Sequence, residues 1–140
     1  MKNGEHVRLW TVLTRVRQIR VERKRRLLNE ARIEVERAAA DAERKRATIA
    51  LHDERRVEIL LACRFPDRTA SLWRTALHRH DARKIELEDA LAAAVHVKQL
   101  TEAEVVYASG ALQREMYGES DARKRSRRLK LLQKDSGTEV

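Results

Sequence analysis

The sequence predicts an all-α protein in which two long helices fold back on each other as an antiparallel coiled coil. Three observations carry this. Charged residues make up 38% of the 140 positions and aromatics only 4%, with Ala, Glu, Leu, Arg and Lys dominant, a composition of long helices rather than of a round core. Apolar residues recur at spacings of three and four. The chain contains a single proline, Pro66, near its middle.

The first helix is expected over about 5–62, a stretch with no Gly or Pro and many strong helix formers. Its apolar stripe reads Leu9, Val12, Val16, Ile19, then Leu28, Ala31, Val35, Ala38, Ala42, and later Ile49, Val57 and Leu60. The stripe is interrupted at Arg23-Lys24-Arg25-Arg26 and again near His52-Asp53, which suggests that part of the seam serves something other than self-packing. The corner is placed at 63–69. Pro66 disfavours helix at Phe65 and has no amide hydrogen to donate, and Asp67 or Thr69 can cap the second helix.

That second helix is expected over about 69–134, with a disordered tail at 135–140. Its stripe reads Trp73, Leu77, His80, Leu87, Leu91, Ala94, Thr101, Val105, Ala108 and Leu112. Gly110 and Gly118 fall inside it, and Gly118-Glu119-Ser120 is a candidate kink or fray point. A short corner between helices of similar length forces them antiparallel. Folding about residue 66 then pairs positions whose numbers sum to about 132. Ala38 meets Ala94, Val35 meets Val97 and Ala31 meets Thr101, so two alanine-rich stretches coincide. A rod of one domain, on the order of 90–100 Å long, is the expected shape. The competing arrangements are a parallel dimer of one very long helix, opposed by Pro66, and a bundle, opposed by the scarcity of large apolar residues.

The charge is uneven. The net charge is +9; residues 1–30 hold nine Lys/Arg against three Asp/Glu, and residues 121–134 hold seven against one, while the middle is near neutral. Antiparallel folding lays the two basic stretches side by side and gives the rod a positive end. Such a patch suits an acidic partner, namely nucleic acid, anionic lipid or an acidic protein surface. Its cations are Arg15, Arg17, Arg20, Arg23, Lys24, Arg25 and Arg26 with Arg123, Lys124, Arg125, Arg127 and Arg128. Nucleic-acid binding through the phosphate backbone is the alternative functional reading, although no aromatic stacking platform accompanies the patch. Membrane-surface binding by residues 7–28 is blunted by Arg on nearly every face.

No catalytic pattern is present, and the sequence is read as that of a non-enzyme with no cofactor, metal or small-molecule substrate. His6, His52, His78, His80 and His96 include no pair at the i,i+4 spacing of a helical metal site. Cys63, the only cysteine, reads as a small corner residue in a reducing, cytoplasmic setting. The first residues lack the apolar core of a signal peptide, and no apolar run approaches the roughly 20 residues of a membrane span. Trp73 and Phe65 near the corner are read either as seam packing or as an apolar cap that docks into a partner.

The opening Leu9 to Arg20, of the pattern Leu-x-x-Val-Leu-x-x-Val-Arg-x-Ile-Arg, together with the small, basic, proline-poor two-helix layout, resembles the FliJ/YscO family. These are the stalk proteins of flagellar and virulence type III secretion systems. The resemblance implies an antiparallel coiled coil seated in the central pore of the hexameric export ATPase and bridging it to the export-gate membrane protein, with some members handling secretion chaperones. It implies a cytoplasmic protein peripherally attached to the membrane-embedded apparatus. The family's gate-contacting residues lie on one face of the second helix at spacings of four, three and four. Trp73, Leu77, His80 and Lys84 follow that spacing here, and the basic terminal end becomes the candidate for the ATPase pore.

Overall fold

The structure, a computed structural model, describes residues 2–64 and 68–138. Helix α1 spans Lys2–Cys63 and α2 spans Ala70–Thr138, and the two pack against each other as an antiparallel helical hairpin. Among the described residues there is no strand. At the end of α1 the Arg64 amide donates to the Leu61 carbonyl at 3.2 Å, a tight closing turn. The Thr69 carbonyl accepts the Trp73 amide at 3.0 Å, the first bond of α2, which puts Thr69 at the N-terminal boundary of the helix. Phe65, Pro66 and Asp67 lie outside the described residues. At its far end α2 continues helical to Thr138, past the expected end at 134.

The chain divides into two units, a terminal one of Met1–Arg32 with Ala103–Val140 and a middle one of Ile33–Glu102. In the middle unit the seam is lined by small side chains, with Ala38, Ala42, Ile59 and Ala94 buried. Ala38 and Ala94, paired in the expected register, are both buried. Val97, expected opposite Val35, is exposed, and Lys98 is half-buried in its place. Val57 and Leu60 are likewise exposed, one residue off the seam positions Arg56 and Ile59.

The register of this unit is marked by a polar layer. The His52 and His80 rings stack across the seam with centroids 3.4 Å apart and planes within 1° of parallel. Each Nε2 reaches the other residue's backbone carbonyl, at 2.7 Å from His52 and 2.6 Å from His80. A carbonyl only accepts, so each Nε2 carries the hydrogen and donates. Their numbers sum to the 132 of the expected register. Beside them Arg56 Nε donates to Asp81 Oδ1 at 2.8 Å, and Lys84 Nζ lies 2.8 Å from Asp53 Oδ1.

The layer is thus reciprocal. Each helix supplies His-Asp and then a cation four residues after the His, and each Asp meets the cation of the other helix. The bond from Lys84 holds the Asp53 carboxyl below its ordinary range, and the bond from Arg56 does the same for Asp81. Those carboxylates in turn raise Lys84 and Arg56. The interruption of the apolar stripe at His52-Asp53 is therefore itself a self-packing device, contrary to expectation.

In the terminal unit Val21, Leu28, Ala111 and Ala122 are buried. Contacts between its two helices include Arg17 Nη1, 3.7 Å from Glu115 Oε2, and the Arg125 guanidinium, 5.2 Å from the Trp10 ring centroid. Gly118 sits within unbroken helix, so the chain does not fray there. A Cβ there would come 3.2 Å from Arg17 Nη1, so the glycine leaves a notch for the guanidinium.

The expected stripe of Leu9, Val12, Val16 and Ile19 is not the seam. Leu9, Val12 and Ile19 are 54%, 59% and 53% exposed, while Val7, Trp10, Thr14 and Arg17 face inward. The reason is helical phase. Val12 and Ile19 each lie nine residues before a buried residue, Val21 and Leu28, and nine steps of about 100° turn a side chain to the opposite face. A helix without Gly or Pro between 5 and 62 has no means of switching faces.

Candidate partner-binding surface of the terminal unit

The basic stretches of the two helices meet in the terminal unit, and the structure sorts their cations by what each one touches. Arg17 crosses the seam to Glu115. Lys24 is half-buried at a seam position. Arg25 pairs with Glu22 at 3.0 Å on its own helix, and Arg123 is held by Glu119 one turn away. Arg125 covers Trp10 and also reaches Asp121 at 3.3 Å. The remaining seven, Arg15, Arg20, Arg23, Arg26, Lys124, Arg127 and Arg128, are exposed and make no ion pair with any described residue.

Four further cations of this unit, Arg8, Arg32, Arg114 and Lys130, are equally exposed and make no ion pair with any described residue, and the sequence did not single them out. Arg8, Arg32 and Arg114 lie outside the Arg-rich runs, and Lys130 lies at the end of one, so none of the four stands out by local density of charge.

The middle unit shows what ion pairing looks like where charge is locally balanced. There Arg37 pairs with Glu34 at 2.8 Å, Arg44 with Asp41 at 3.5 Å and Arg55 with Glu58 at 2.6 Å, each three residues apart on one helix. Exposed pairs of this kind contribute little stability, at most about 0.5 kcal/mol each. Their effect is to cancel charge at the surface. In the terminal unit cations on both helices remain without such a partner among the described residues.

Apolar side chains share that surface. On α1 these are the outward Leu9, Val12, Val16 and Ile19, flanked by Arg8, Arg15 and Arg20. On α2 Tyr107 and Tyr117 are 74% and 77% exposed. Tyr117 does not cover Trp10; Arg125 takes the face of that ring. The signal that could have exposed this was phase: Val21 and Leu28 define one face, and the Leu9 to Ile19 series falls on the other.

The residues matched to an export-gate face, Trp73, Leu77, His80 and Lys84, all occupy seam positions of α2 and are half-buried. His80 stacks on His52 and Lys84 pairs with Asp53, so both are engaged by the opposite helix. Their four-three-four spacing is the spacing of this seam. Phe65, assigned to the same surface, lies outside the described residues.

Among the described residues no three His, Cys, Asp or Glu side chains gather as a metal site, and no helix is long and apolar enough to cross a membrane. Comparison with protein-family models, curated proteins and solved structures finds no match to this chain.

Proposed function

We propose that this protein is a non-catalytic connector, the stalk of a type III secretion export apparatus, whose terminal unit is held by a hexameric export ATPase. In this reading the chain links the ATPase to the export gate and also serves as a contact for secretion chaperones. One observation carries it: seven exposed, unpaired cations from both helices of the terminal unit stand among outward apolar side chains. Like charges at this density repel one another, a cost that an acidic partner offsets. Apolar and basic groups on the outer surfaces of both helices suit a partner that meets the unit from more than one side, as a ring does. Isolated apolar residues on a surface are ordinary, but a stripe of four at helical spacing with a basic border is an interaction surface.

The seam positions of Trp73, Leu77, His80 and Lys84 lend no support to those four as the gate-contacting face, so the gate partner has to be mapped without assuming it. The deciding experiment is a pull-down with the cognate hexameric ATPase, comparing the natural chain with one in which Arg23–Arg26 and Arg123–Arg128 are neutralised. Loss of binding on neutralisation is the expected result, and undiminished binding sinks the pore assignment. Tight, salt-sensitive binding to generic RNA without ATPase binding would favour a nucleic-acid-binding hairpin instead.

A further inference from the structure

A groove in the terminal unit, of about 520 Å³, runs between Arg15 on α1 and Arg123, Arg127 and Lys130 on α2. No acidic residue lines it. Residues 123, 127 and 130 are four and three apart, the spacing that puts side chains on one face of a helix. Arg123 is already held by Glu119, whereas Arg15, Arg127 and Lys130 have no ion-pair partner. The groove also reaches Ser126, which is only 5% exposed. Its hydroxyl makes no hydrogen bond to any described residue. The hydroxyl is not shut off from solvent, so it can donate into the groove. Three unpaired cations and an unused donor around one concavity describe the complement of a compact, highly charged anion.

We propose that this groove binds an oligophosphate group, free or as the tail of a nucleotide, with Arg15, Arg127 and Lys130 neutralising its charge and Ser126 donating to a phosphate oxygen. Arginine suits the role because its fork meets two phosphate oxygens at once. The charge argues for more than one phosphate. Arg15, Arg127 and Lys130 together carry three positive charges, whereas a single phosphate group carries only about two negative ones at neutral pH. The proposal is independent of the ATPase reading, and either can fail alone.

The test is calorimetric titration of the full chain at low salt with inorganic triphosphate, orthophosphate and ATP. Triphosphate is expected to bind at least about tenfold more tightly than orthophosphate, and ATP about as tightly as triphosphate. Binding of ATP without binding of triphosphate would overturn the assignment to phosphate chemistry. The triple variant Arg15→Gln, Arg127→Gln, Lys130→Gln is compared with Arg20→Gln, Arg23→Gln, Arg26→Gln, which removes equal charge from the same unit outside the groove. A local site loses roughly tenfold or more in the first and less than about threefold in the second. Equal losses would reduce the effect to the general positive field and refute the site. Ser126→Ala changes no charge and keeps a good helix former, and it should weaken triphosphate by about threefold to tenfold. An unchanged affinity removes Ser126 from the site. Binding of anionic vesicles or RNA with no binding of triphosphate would also refute the proposal.

Discussion

Replacing His52 and His80 by alanine, singly and together, isolates the interaction between the two rings. Each single variant loses the stack, worth about 0.5–1.5 kcal/mol by analogy with other aromatic pairs, and its own hydrogen bond, worth a similar amount. The other hydrogen bond survives, because its acceptor is a backbone carbonyl that alanine retains. A single substitution is therefore expected to cost about 1–3 kcal/mol, less the small gain in helix propensity that alanine brings. The double variant loses both hydrogen bonds but the stack only once. Its cost should fall short of the sum of the singles by the stacking energy alone, about 0.5–1.5 kcal/mol, while the propensity gains cancel in the cycle. Urea unfolding of the four proteins near neutral pH reads this directly. Additivity within about 0.3 kcal/mol would mean that the rings do not communicate and would refute the layer as described.

Gly110→Ala should stabilise the protein by up to about 1 kcal/mol, raising the melting temperature by roughly 4 °C. Its backbone φ is not positive and an added Cβ meets nothing closer than Arg114 Nη1 at 3.8 Å, so a lowered melting temperature would show crowding that the geometry does not contain. Leu28→Ala should cost about 2 kcal/mol or more, whereas Ile19→Ala should stay within about 0.5 kcal/mol, and equal costs in denaturant melts would put the outward stripe back in the seam. Asp53 and Asp81 have carboxyls lowered from 3.8 in the folded state, so their contribution is present above that value and is lost as pH falls through the lower folded values. Urea melts between about pH 5 and 2.5 should show a loss that is reduced in Asp53→Asn/Asp81→Asn, and an identical acid profile in that variant would contradict the paired geometry.

Much of the architecture was legible from residue order because it rests on local chemistry. The absence of Gly and Pro over 5–62 and the single Pro66 set two helices and a break between them. A short break makes the helices antiparallel, and the alanine-rich stretches then point to a register of 132, which His52 opposite His80 reproduces. The basic character of the terminal unit was equally plain, since net charge needs no coordinates.

The sequence alone determined which segments are helical, in which direction they pair, and where the positive charge collects. Only the tertiary structure decided which face of each helix turns inward. Between residues 7 and 28 α1 carries apolar side chains on two faces, and three-and-four spacing marks a face without naming its neighbour. The buried Val21 and Leu28 settle the phase, turning Leu9, Val12, Val16 and Ile19 outward and committing Trp10 and Arg17 to α2. The same choice on α2 commits Trp73, Leu77, His80 and Lys84 to the seam. It also separates the cations engaged by Glu115, Glu119, Glu22 and Trp10 from the seven that make no ion pair with any described residue, because whether a charge is paired depends on what lies beside it on its own helix and across the seam.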